Sequence, residues 1–83
     1  MLADLTAAPR QFAIVARRWG RPRVVVAWGQ DFGDGTLMRL QVPDTRIRQI
    51  FEHPSPEAAL RTLRLMDLGT LALVWAAPTR DGI

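Results

Sequence analysis

The sequence predicts a small α+β fold: a two-layer sandwich of an antiparallel β-hairpin plus a C-terminal strand, covered by one N-terminal helix and one well-capped helix over residues 55–68. Three observations predict it. Two β-rich runs, 23–28 and 36–42, flank the turn pair Asp34-Gly35. Ser55-Pro56-Glu57 has the order of a helix start: capping hydroxyl, proline at the first helical position, acid in the first turn. Leu71-Ala72-Leu73-Val74-Trp75-Ala76 is an apolar run of strand length.

The N-terminal helix rests on Phe12, Val15, Ala16 and Trp19, which fall on one helical face. Thr6 is its candidate cap, and Pro9 fits its first turn. Arg17 and Arg18 suit the negative end of the helix dipole, Gly20 suits a left-handed terminator and Pro22 an exit. Phe12-Ala13-Ile14-Val15-Ala16 also supplies β-branched residues, so a strand is the competing reading. A strand would place the arginines of this region in a hairpin tip.

Val24-Val25-Val26-Ala27-Trp28 is continuously apolar, as expected of a strand buried on both faces. In residues 36–42, Leu37, Arg39 and Gln41 alternate with Met38, Leu40 and Val42, and Pro43 stops the strand. Asp34-Gly35 predicts a type I′ turn, in which both central residues have positive φ. Residues 44–51 read two ways: Ile47, Ile50 and Phe51 have helical spacing behind an Asp44 cap, but a short edge strand fits as well. In the second helix Ala59, Leu60, Leu63 and Met66 form the apolar face and Gly69 ends it. Pro78 stops the last strand. Residues 1–78 are expected to form one domain and 79–83 a flexible tail.

At 83 residues the chain fits one domain with a small core. Such a domain buries only about 60–65% of the surface its unfolded chain exposes, which favours support from a partner. With no cysteine, disulfides, thiolate nucleophiles and cysteine zinc sites are excluded. A single histidine, His53, excludes multi-histidine metal sites. The start lacks a basic leader, and the apolar run 71–77 is too short to span a bilayer, so a cytoplasmic protein with no membrane partner is expected. All eleven basic residues are Arg, and the pI near 11.3 follows from the absence of Lys, Cys and Tyr, with a net charge of only +3.

No catalytic, cofactor or metal site is legible. Asp31 and Asp34 lack the further carboxylates of a calcium loop. Gly33 and Gly35 join two strands and lack the following Lys of a phosphate-binding loop. His53 and Ser55 bracket Pro54, an awkward nucleophile–base geometry, and Ser55 is already engaged as a cap. His53 itself reads as an exposed loop residue.

Two groups of residues carry the functional expectation. Arg17, Arg18, Trp19, Arg21 and Arg23 form a basic arc. Residues 1–23 hold a net +4 and the remainder a net −1. As structure, the arc is a helix end with Trp19 in the core. As function, it is a nucleic-acid contact for about three or four phosphates, with Trp19 stacking on a base. Gly20-Arg21-Pro22 is similar to the centre of an AT-hook, which implies minor-groove contact, although Trp19 stands where that motif carries Arg. The second group is Leu71, Leu73, Trp75 and Trp28, read as a protein interface. A strand as apolar as 71–76 suggests a central position or an interface; it is an aggregation hazard if left open at an edge, and pairing with a second copy resolves it. Trp28 and Trp75 are also candidates for the core.

The sequence therefore points to a non-enzymatic interaction module: a regulator, adaptor or accessory subunit, homodimeric or bound to another protein, with no cofactor. The alternative is a small nucleic-acid-binding protein using the basic arc.

Overall fold

Residues assigned above to an N-terminal helix form a β-strand in the computed structural model, which describes residues 9–42 and 45–76. The element order is β1 (Arg10–Arg17), β2 (Val24–Asp31), β3 (Thr36–Gln41), β4 (Arg48–His53), α1 (Pro56–Arg64) and β5 (Thr70–Trp75). The strands make one sheet in the order β4-β3-β2-β1-β5, with every neighbouring pair antiparallel. The fold is thus a five-stranded antiparallel sheet with one short helix, and the two-helix sandwich is corrected.

The correction has a physical cause. Residues 10–17 satisfy period two as well as period 3.6: Phe12, Ile14 and Ala16 point to one face, Gln11, Ala13, Val15 and Arg17 to the other. Pairing on both sides, with β2 and β5, satisfies the backbone of this β-branched segment across its length. Gly20 and Pro22 punctuate a hairpin turn as readily as a helix end. Residues 48–53 resolve to the edge-strand reading.

The helix-facing side of the sheet carries the core. Phe12, Ile14, Ala16, Val26, Ala27, Met38, Leu40 and Leu71 are buried there with Ala59 and Leu63 of α1. Leu73 and Trp75 pack against this cluster from the β5 edge. The continuous apolar run of β2 does not mark a strand buried on both faces. The β1–β2 register shifts between Ile14 and Val15, so that Val26 is an extra residue. Consecutive Val26 and Ala27 are both buried, while Trp28 turns to the opposite face and is half exposed.

Other details differ from expectation. The β2–β3 turn has its positive φ at Gly33, not at Asp34 and Gly35. That is the first central position, as in a type II′ turn, and Gly33 N donates to Asp31 Oδ1 at 3.0 Å. Helix α1 ends at Arg64 instead of residue 68. Its last turn tightens as Leu65 N donates to Thr62 O and Met66 N to Leu63 O. Asp67 then takes a left-handed φ of 52°, leaving Met66 beyond the helix and exposed. The expected caps at Thr6 and Asp44, the stops at Pro43 and Pro78, and the 79–83 tail lie outside the described residues.

Candidate binding surfaces

The β1–β2 connection carries the basic arc at a hairpin tip. Arg21 N donates to Arg18 O at 3.0 Å, which closes a turn with Trp19 and Gly20 in its centre. Gly20 has φ +73°, as the third position of a type II turn requires. Trp19 occupies the outer corner and is 100% exposed, so its expected place in the core is corrected. Arg17, Arg18, Arg21 and Arg23 are all exposed around it.

Two contacts fix this tip to the loop after α1. Arg18 Nη2 donates to the Asp67 carbonyl at 2.7 Å. Gly69, with φ +105°, passes so close that a Cβ there would lie 2.7 Å from Arg17 O. Between tip and loop lies a groove of about 830 Å³. Val24, Val26, Val42 and Leu68 supply its apolar lining, and Arg18, Arg21 and Trp19 its polar and aromatic rim. Helix α1 has nine residues and spans only about 14 Å, which leaves this end of the core face uncovered.

The residues expected at a protein interface divide between places. Leu71 is buried under the helix, and Leu73 and Trp75 are half-buried beside it. Trp75 meets Phe12 edge-to-face, with ring centroids 5.6 Å apart, and the Arg10 guanidinium lies 4.1 Å above its ring. Trp28 faces the other side of the sheet. There one row crosses all five strands: Ile50, Arg39, Trp28, Ala13 and Val74 are successive cross-strand partners. Trp28 is 50% exposed and Ile50 71% exposed, and with Leu37 they line a shallow hollow of about 390 Å³. Arg39 and Ile50 were missed in the sequence. The alternation of residues 36–42 already placed Arg39 opposite Met38 and Leu40, but only the β4 pairing brings Ile50 beside it.

The strand order leaves β5 at an edge, and its hydrogen-bond phase can be read. Ala76 N donates to Gln11 O, its direct opposite in the β1–β5 register. Hydrogen-bonded pairs alternate along an antiparallel ladder. Ala72 and Val74 therefore bond to β1, while the backbone groups of Leu71, Leu73 and Trp75 point outward. Among the described residues no strand pairs with that edge.

His53 is the last residue of β4 and not a loop residue. It stands opposite Thr36, and both His53 Nε2 and Thr36 Oγ1 are buried without a hydrogen-bond partner among the described residues. Ser55 Oγ accepts from Ala58 N at 3.1 Å, which commits it to capping α1. Among the described residues no three metal-ligating side chains gather, and no helix is long and apolar enough to cross a membrane. No family model matches the chain, nor does any curated protein or solved structure.

Proposed function

We propose that this chain is a small, non-enzymatic cytoplasmic interaction module that pairs with a second copy of itself through β5. One observation carries the reading: the contrast between the two sheet edges. Edge strands in soluble proteins are blunted by charge, proline or bulges. Strand β4 carries Arg48 and Glu52, whereas β5 (Thr-Leu-Ala-Leu-Val-Trp) carries no charge and no proline. Its outward backbone groups at Leu71, Leu73 and Trp75 are a ready template for another strand.

A second copy fits this template because an antiparallel pair with two-fold symmetry is self-complementary. The longest pairing sets Leu73 opposite Leu73 of the second copy and Leu71 opposite its Trp75. No like charges meet across that seam. The two sheets join into one, and the Trp28 faces become parts of a continuous surface. Trp28, beside Arg39, is the anchor for a protein partner, since tryptophan and arginine lead binding hot spots.

The register gives the test. Ala72 and Val74 are exposed and would lie opposite each other across the seam. The double variant Ala72→Lys, Val74→Lys puts like charges in register and is expected to weaken dimerisation roughly tenfold or more. Ala72→Lys combined with Val74→Glu pairs opposite charges and is expected to restore it. Light scattering across a concentration series reads both. A monomeric mass for the unaltered chain at all concentrations, or an unaffected dimer in the double-lysine variant, contradicts the reading.

A further inference from the structure

We infer that the β1–β2 hairpin tip and the groove beneath it form a binding site for single-stranded nucleic acid. The inference is independent of the β5 seam and begins with Trp19. A fully exposed indole contributes nothing to the core and leaves a large apolar ring in water. The fold gives no reason for a tryptophan at that corner. A ligand that stacks on the ring does.

The surroundings specify the ligand's chemistry. Arg17, Arg18, Arg21 and Arg23 lie within seven residues with no acid among them. They supply planar, permanently charged donors suited to phosphate oxygens. The Arg18–Asp67 contact and the Gly69–Arg17 approach hold tip and loop together, so the rim exists before a ligand arrives. Below it, the lining of Val24, Val42 and Leu68 is apolar, and about 830 Å³ accommodates a base. Stacking surface, apolar hollow and cationic rim together match a chain of flat rings joined by phosphates.

Rival partners fit less well. Duplex DNA keeps its base faces stacked internally, so Trp19 would have nothing to stack on. An anionic membrane would require apolar side chains that project together. Here Trp19 projects alone from the tip: among the groove's valines and Leu68, Val26 is buried, Val42 and Leu68 are half-buried and only Val24 is exposed. A single strand presents both base faces and phosphates.

Fluorescence anisotropy with labelled oligo-dT and oligo-U tests the site, with a duplex of the same length, a nucleoside monophosphate and phosphatidylglycerol vesicles as comparisons. The site predicts binding to both single strands, with log K falling by about 3 per tenfold rise in salt if four phosphates are contacted. Trp19→Ala is expected to weaken binding roughly 10- to 100-fold. Because Trp19 packs on nothing, its thermal unfolding should match that of the unaltered protein. Arg21→Gln with Arg23→Gln should lower affinity and flatten the salt dependence. Four results would overturn the inference: no binding to either single strand, duplex or monophosphate bound as tightly, binding only to vesicles, or affinity unchanged in Trp19→Ala.

Discussion

Phe12 and Gly29 illustrate how one side chain dictates its neighbour. They are opposite partners on β1 and β2, and the far end of the Phe12 ring occupies the space beside the Gly29 backbone. A Cβ at residue 29 would stand 2.1 Å from Phe12 Cζ, far inside contact distance. Gly29→Ala must therefore push the ring out of the core centre, where Phe12 also meets Trp75. We expect a loss of about 1–3 kcal/mol, read as a lower urea midpoint at unchanged slope. In sequence, Gly29 looked like the start of a loop after Trp28. Its role was not legible there because it depends on a ring seventeen positions earlier. Trp19 was misread for a related reason: its helical spacing from Phe12 made a core place plausible, and only the strand pairing of β1 turns it out to solvent. The basic character of its surroundings, by contrast, was plain in the sequence.

Among the elements, α1 was the most legible because its signals are local. Ser55, Pro56 and Glu57 fix its start within four residues, and the Ser55 Oγ bond to Ala58 N realises the cap. Ser55→Ala is expected to cost about 1 kcal/mol, measurable as a lowered thermal midpoint with the sheet signal intact. Its end was less legible, since the left-handed turn falls on Asp67, which tolerates positive φ better than most non-glycine residues, two positions before the more obvious terminator Gly69. Strands β2, β3 and β5 could be located from composition alone. β1 could not be decided, because Phe12 to Ala16 fits both periods and the deciding partners lie in β2 and β5. The bulge at Val26 was hidden for the same reason: a run of valines reads alike whether two faces are buried or one face receives an extra residue.

The molecule as a whole is a sheet with one covered face, one open face and two unequal edges. The nine-residue helix covers only part of the core side, and this produces the groove under the Arg-rich tip. The open face gathers Trp28, Arg39 and Ile50 in one row, a juxtaposition created by strand order. The sequence reading singled out the apolar last strand, but strand order makes it an edge. Hydrogen exchange at β5 tests the seam most directly. In a monomer, the Ala72 and Val74 amides are protected by β1, while those of Leu71, Leu73 and Trp75 exchange quickly, an alternation set by the ladder. The seam predicts that Leu71, Leu73 and Trp75 become protected as well, increasingly so as protein concentration rises. If the alternation persists at every concentration, β5 is a free edge and the pairing proposed here is wrong.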